Sequence, residues 1–422
     1  MIYNLYHKTD LVCTVKLSQH GIVQAASLLK QNIKDLPLPI KWCLKDKALI
    51  DTETEDSIIL NEKGIYYVDE WLQNREIPIN RQQLQKYIDR GKTVRKWMLE
   101  NYAFSFTDCY WIKPDTELLS WKDILRLKED VDEYSICKNV QKYKGNNSTL
   151  GGELEKYWYK KDNELYLCKK NEPNYEILTL REIFATLIYE KQNFNSNMYC
   201  SYEIVKNHLD GIAGCTCKAF TNLNVEIVTA WDLLMENNEV NQNNLYDKII
   251  QRAKEKGLNP VYTSFYLDVK IIVNFLITNR DDHLGNIAFL RDSDSLNIIS
   301  TAPIFDSGSS KHFEEQLPEK GLNVSVNSFE SSFCDCLKHV KNFSAINVLL
   351  LPSASEYKDI LLKSKRITSD RIEELVNLYK YNVNSLIQMQ NLSKQNYSSK
   401  EIIEKLTEKE KLEKEKQYND FF

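Results

Sequence analysis

Apolar and polar positions alternate at residues 11–15, and a proline-bounded apolar run fills 36–42; both patterns predict strands. Residues 64–72 predict a strand leading into a helix, 81–101 a helix by their spacing, and 105–114 an aromatic-rich strand. A loop of small residues at 145–152 is followed by two apolar stretches, 154–159 and 165–170, either side of a Lys-Lys-Asp-Asn-Glu turn. That arrangement predicts a hairpin behind a flexible loop. A helix is expected over 180–192, and strands over 215–220 and 225–228. From 230 to about 392 apolar residues recur mainly at three and four, so this stretch reads as helical. Two features interrupt it, a polar turn at 279–286 and a strand over 297–305. Residues 399–416 form a Glu/Lys run with many opposite charges four apart, the pattern of a solvated helix.

The pattern divides the chain into a mixed N-terminal module (1–125), a β-rich segment (126–229), a mostly helical segment (230–392) and a charged tail (393–422). A length of 422 residues suits two or three compact units. With 42% apolar and 27% charged residues the composition is that of a globular protein. The net charge of -5 argues against bulk affinity for nucleic acid. No apolar run approaches the roughly 20 residues of a bilayer span, so no membrane association is expected. The first residues lack the basic-then-apolar layout of a secretory leader, and the cytoplasm is the expected compartment. Ten cysteines are scattered, apart from Cys215/Cys217 and Cys334/Cys336. Neither Cys-x-Cys pair has the second ligand pair of a zinc site, and the alternation of a strand points Cys215 and Cys217 into a core. No disulfide or metal is expected there.

The candidate chemistry lies in the polar turn. Asp281 and Asn286 are five apart, an interval that suits an acid facing an acceptor hydroxyl and an amide holding magnesium. Asp306 follows an apolar stretch and precedes a Gly/Ser turn, a placement for a second magnesium ligand. Asn279 is expected to pin the loop and His283 to prop it. Phosphoryl transfer from ATP also needs a small-residue loop over the phosphates, a lysine on the next strand and an acid on the next helix. In chain order these would be Ser148, Thr149, Gly151 and Gly152, then Lys169 or Lys170, then Glu182. Alternation places Lys169 on the face of Leu165 and Leu167, which favours Lys169.

The string Asn279-x-Asp281-x-His283-x-x-Asn286, followed by Pro303-Ile304-Phe305-Asp306, resembles the catalytic and metal loops of HipA-like serine/threonine kinases, bacterial protein kinases of toxin-antitoxin systems and their relatives. The resemblance covers about residues 140–390. It implies an α+β, two-lobed kinase-like fold, with a small β-rich lobe and a larger helical lobe, here preceded by the mixed α/β N-terminal module. It also implies ATP and Mg2+ as cofactors and protein Ser or Thr as acceptor. By motif, Asp281 would be the base, with Asn279 and His283 beside it. Asn286 and Asp306 would be metal ligands, Lys169 and Glu182 the phosphate-gripping pair, and Ala219, Phe220 and Leu223 the region near the adenine. The phosphate loop departs from the family pattern: Ser148-Thr149-Leu150-Gly151-Gly152 stands in place of a Ser-Gly-x-Gln-x-Lys type string. Ser148 or Thr149 is the speculative equivalent of a loop serine that such kinases phosphorylate. An antitoxin or regulatory partner protein follows by analogy alone, and a toxin role does not follow. The rival readings are a small-molecule or lipid kinase on the same fold, and a catalytically inactive kinase-like binding protein.

Overall fold

The structure, a computed structural model, describes residues 1–78, 92–131, 147–152, 154–172, 174–207, 209, 211–314 and 321–420. Residues 81–91 of one expected helix, the first residues of the small-residue loop (145 and 146) and Cys137 lie outside the described residues. The chain forms a mixed α/β structure of two compact units, each assembled from separated stretches. One comprises Met1–Lys170, Thr216–Leu245 and Phe289–Ser300; the other comprises Asn171–Cys215, Tyr246–Ala288 and Thr301–Phe422.

The first unit is built on a six-stranded sheet in the order Ile50–Glu53, Ser57–Leu60, Val23–Leu29, Asp10–Leu17, Ile2–His7, Tyr110–Pro114. The alternation read at 11–15 falls in the strand Asp10–Leu17, where Val12, Cys13, Val15 and Leu17 are buried. The run 36–42 is not a strand. Pro37 and Pro39 have no N–H to give to a ladder, and their fixed φ suits the start of a helix, Leu38–Lys45. Leu36, Ile40 and Cys43 then share one buried face. Residues 64–72 are helical throughout, inside Glu62–Gln73, because the Asn61 side chain accepts from the N–H groups of Lys63 and Gly64 and starts the helix early. Gly64 is required there, since a Cβ would meet the Leu49 carbonyl oxygen at 2.4 Å.

The expected hairpin is present as Lys156–Lys161 and Glu164–Lys170, paired from Lys156↔Lys169 to Lys161↔Glu164. Asp162 and Asn163 at its tip both have positive φ, 53° and 61°, as a two-residue turn matched to strand twist requires. The hairpin gains a third strand segment where Thr216 Oγ1 donates to the Leu167 carbonyl (3.0 Å) and Ala219 N–H to that of Leu165 (2.8 Å).

A buried charge cluster ties the N-terminal sheet to residues far along the chain. Glu226 is wholly buried, with His7 Nε2 2.9 Å from Oε1; Oε1 also accepts from Cys109 N–H at 2.7 Å. Its Oε2 accepts from Arg291 Nε at 2.9 Å and Nη2 at 2.5 Å. Burial works against ionisation, but the contacts from His7 and Arg291 outweigh it and hold the carboxyl down to about 2.

The second unit is mostly helical. Its helices include Glu176–Lys191, Pro260–Ile277, Ser369–Ser393 and Ser399–Asp420. Phe184 and Tyr357 stack at 4.0 Å with Tyr379 edge-on to both. The nine described cysteines are free and buried, Cys215 and Cys217 among them, with Cys334 and Cys336 on the short helix Phe333–Lys338. Burial pushes the Cys13 and Cys43 thiols up to about 12, so they stay protonated and behave as small apolar side chains.

The Glu226 cluster sets an acid limit on stability. A carboxyl whose folded value is depressed stabilises fully above its ordinary value of 4.5 and loses that contribution as pH falls through about 2. Glu226→Gln should therefore flatten the loss of stability across that window. At neutral pH it should cost about 3–5 kcal/mol by leaving Arg291 unpaired, measured by urea unfolding at a series of pH values.

Candidate active site

The polar turn at 279–286 begins where an apolar helix ends. Pro260–Ile277 is started by Asn259, whose side chain accepts from Val261 and Tyr262 N–H, with Pro260 in the first turn. By length and composition alone the helix could cross a bilayer; here 72% of it is buried within the protein. Thr278 ends it in the left-handed region, φ 57°, a conformation usually left to glycine. Asn382 stabilises this exit: its Nδ2 reaches the Phe275 carbonyl (2.8 Å), the Leu276 carbonyl (3.3 Å) and Thr278 Oγ1 (3.1 Å). Carbonyls orphaned at the helix end thereby gain a donor.

Asn279 is the hub of the turn. Its Oδ1 accepts from Asp281 N–H at 3.2 Å, and its Nδ2 donates to Asn274 Oδ1 at 3.0 Å and reaches the Asp306 carbonyl at 3.4 Å. A single buried carboxamide thus joins the backbones at 281 and 306. Asn286 closes the turn by donating from Nδ2 to the Asp281 carbonyl (3.1 Å) and from its N–H to that of His283 (2.8 Å). With Nδ2 engaged there, Oδ1 is the Asn286 atom left for a cation. His283 is exposed, and its Nδ1 accepts from Gly285 N–H at 3.1 Å.

The two adjacent acids are placed differently. Asp281 is half-buried, and its Oδ1 accepts from Asn327 Nδ2 at 2.7 Å. Asp282 is buried, lies 2.9 Å from Lys270 Nζ, and accepts from Asn274 Nδ2 at 2.7 Å. Burial pushes the Asp282 carboxyl up, and Lys270 opposes that shift. Asp282 is committed to the interior, which leaves Asp281 as the acid able to face a substrate. The segment is further clamped by Asn327, whose carbonyl accepts from Asp282 N–H (2.8 Å) and whose N–H donates to Arg280 (2.7 Å).

Asp306 lies at the end of an extended stretch. The strand proper is Ile298–Thr301, shorter than the 297–305 expected. Beyond it Ile304 pairs with residues 198–200 through Ile304 N–H to Met198 and Cys200 N–H to Ile304, both 2.8 Å. Asp306 itself has φ 60°, and the chain then turns onto the helix Glu176–Lys191. Glu182, buried on that helix, accepts from Ser307 N–H at 2.9 Å. Gly308 fits because a Cβ there would meet the Leu178 carbonyl oxygen at 2.8 Å. The short helix Lys311–Glu314 that follows is held by ion pairs Arg181–Glu314 and Lys311–Glu172, with Arg371 also on Glu314.

Asp306 is half-buried, and Asn286 offers an amide oxygen; residues of these types can serve as Mg2+ ligands. That ion takes one or two carboxylates and completes its shell with water and substrate phosphates. Within the second unit, hydrogen bonds link Asn279, Asn286 and the backbones of Asp281 and Asp306, and Glu182 holds the next residue, Ser307.

The remaining sequence candidates belong to the first unit. Lys169 is buried, whereas Lys170 is ion-paired with Glu155 at 2.9 Å and lies over the Tyr157 ring. Ser148 is fully buried, Thr149 Oγ1 donates to the Phe104 carbonyl (3.0 Å), and Asn147 Oδ1 accepts from Trp158 N–H (3.0 Å). Gly151 and Gly152 are exposed, Gly152 with φ 86°. Ala219 and Phe220 follow directly on the strand Ile212–Lys218, and the Leu223 carbonyl accepts from Ser293 Oγ at 2.8 Å.

Sequence reading missed Lys270, Asn274, Asn327 and Asn382. A signal existed for the first two. They stand four apart in a largely apolar helix, hence on one face, and a buried lysine calls for a buried acid nearby.

No family model matches the chain, and no curated protein matches it. The crystal structure of the Helicobacter pylori proinflammatory kinase CtkA is similar at 18% identity and a TM-score of 0.43, covering 61% of this chain and 98% of that one. A likeness of that strength carries no argument about this chain.

Lys270→Met should cost about 3–5 kcal/mol in urea unfolding, since it strands a buried carboxylate. Adding Asp282→Leu should restore most of the loss. Equal destabilisation in both variants would show that the ion pair is not what the interior requires.

Proposed function

We propose that the chain is an ATP- and Mg2+-dependent serine/threonine protein kinase of the HipA-like type. The observation that carries this reading is the Asn279 carboxamide, which holds the Asp281 and Asp306 backbones on one support while Asn286 is tied to the Asp281 carbonyl. Two acids and an amide from separate segments are what magnesium-assisted phosphoryl transfer asks of a protein.

In this mechanism Asp281 orients the acceptor hydroxyl and takes its proton as the oxygen attacks the γ-phosphorus, while the bond from that phosphorus to the bridging oxygen breaks and ADP leaves with the electron pair. Asn327, bonded to Asp281 Oδ1, holds that carboxylate in one orientation. Asn286 and Asp306 would hold the metal, which when bound would neutralise charge on the phosphate oxygens. By motif, Lys169 would grip the phosphates with Glu182 as the assigned acid, residues 147–152 would cover the phosphates, and Ala219, Phe220 and Leu223 would be near the adenine. Asn279 and His283 position the loop. In sequence terms the nucleotide-binding part is 126–229, the catalytic part 230–392, and 1–125 a mixed accessory module. Ser148 is buried, so its phosphorylation would first require the 147–152 segment to open.

Incubation with labelled ATP and Mg2+, read by gel and mass spectrometry, tests the assignment. Asp281→Asn should lower phosphoryl transfer by about 100-fold or more while ATP still binds. Asp306→Ala should abolish the rise in Tm that ATP with Mg2+ gives the wild type. Wild-type turnover retained in Asp281→Asn would refute the role given to that residue.

A further inference from the structure

The second unit contains a half-open cavity of about 420 Å³ whose walls include none of the residues assigned above to metal or acceptor. Part of its wall is the first turn of the helix Glu176–Lys191 together with Glu172; part is the turn that carries Lys363, Lys365 and Arg366. Its acids are already answered. Glu176 Oε2 accepts from Ser364 Oγ at 2.5 Å and Oε1 lies 3.6 Å from Arg366 Nε, while Glu172 is ion-paired with Lys311.

Its lysines are not answered. Lys363 and Lys365 are exposed and have no acidic partner among the described residues. They leave two positive charges facing a concave space rather than open water. No side chain caps the helix start at Tyr175. The remaining wall is aliphatic, with Ile212 and with Leu209, which is 76% exposed. A cavity with two uncompensated ammonium groups and a greasy wall suits a ligand with a dianionic head and a small organic body.

We infer that this cavity binds a small phosphate monoester, its phosphate on Lys363 and Lys365 and its organic body against Leu209 and Ile212. A phosphate monoester matches better than a carboxylate because it carries about −1.5 to −2 charges near neutral pH and offers three acceptor oxygens. The inference stands apart from the kinase reading, because Asp281, Asn286 and Asp306 take no part in it.

The probes are phenyl phosphate and inorganic phosphate, titrated calorimetrically into the full chain at low salt with EDTA present. Phenyl phosphate should bind the wild type and should bind Asp306→Ala equally well. The exposed double change Lys363→Ala with Lys365→Ala should weaken it by about tenfold or more, the scale of losing hydrogen bonds to a charged group. The charge-keeping pair Lys363→Arg with Lys365→Arg should retain binding. Inorganic phosphate should bind more weakly than phenyl phosphate. Unchanged affinity in the double alanine variant, or absence of binding up to about 10 mM, overturns the assignment. Loss of binding in Asp306→Ala alone would place the phosphate elsewhere, and equal affinity for the two probes would remove the role of the aliphatic wall.

Discussion

A carboxylate can remain inside a protein only where charge and hydrogen bonds replace the water it gives up, and Asp282 meets that condition through Lys270 and Asn274. The rest of the candidate site follows from this pair. Because Lys270 and Asn274 stand on an apolar helix, the turn after that helix is drawn down onto it at position 282. The neighbouring Asp281 then faces outward, with its carboxylate in reach of Asn327. Asn274 continues the network into Asn279, and Asn279 continues it to the Asp306 backbone. A loop held this way keeps its geometry before any ligand arrives, which is what electrostatic catalysis needs.

The first unit meets the same problem with different residues. Glu226 is buried between His7, at the end of the strand Ile2–His7, and Arg291, on the strand Ala288–Asp292. The cluster joins strands separated by more than half the chain length, and its cohesion is electrostatic where the surrounding core is apolar. Each unit therefore uses an internal charge cluster as a register device: a shift of either chain segment would leave an unpaired charge inside.

Much of the secondary structure was legible because its causes are local. The two-residue Asp162-Asn163 tip, the alternation at 11–15 and the Glu/Lys periodicity of the final helix each need only neighbours in sequence. The misreadings have equally local explanations. The run 36–42 looked like a strand because it is apolar and short, yet Pro37 and Pro39 favour a helix start over a ladder. Residues 64–72 combine a β-branched, aromatic start with a helical continuation, and the Asn61 cap three residues before Gly64 decides for helix from the outset.

For the candidate site, the chain alone determined which residue types stand at which interval: Asp281 five before Asn286, and Asp306 between an apolar stretch and a Gly/Ser turn. Tertiary structure decided which of two adjacent acids is interior and which is presented, a choice made by Lys270 one helix earlier. It also decided that Asn279 would bridge to residue 306 and that Asn382 would close the helix end. Those outcomes were not readable from spacing because each depends on which distant group supplies the charge or hydrogen bond that a buried polar atom must have.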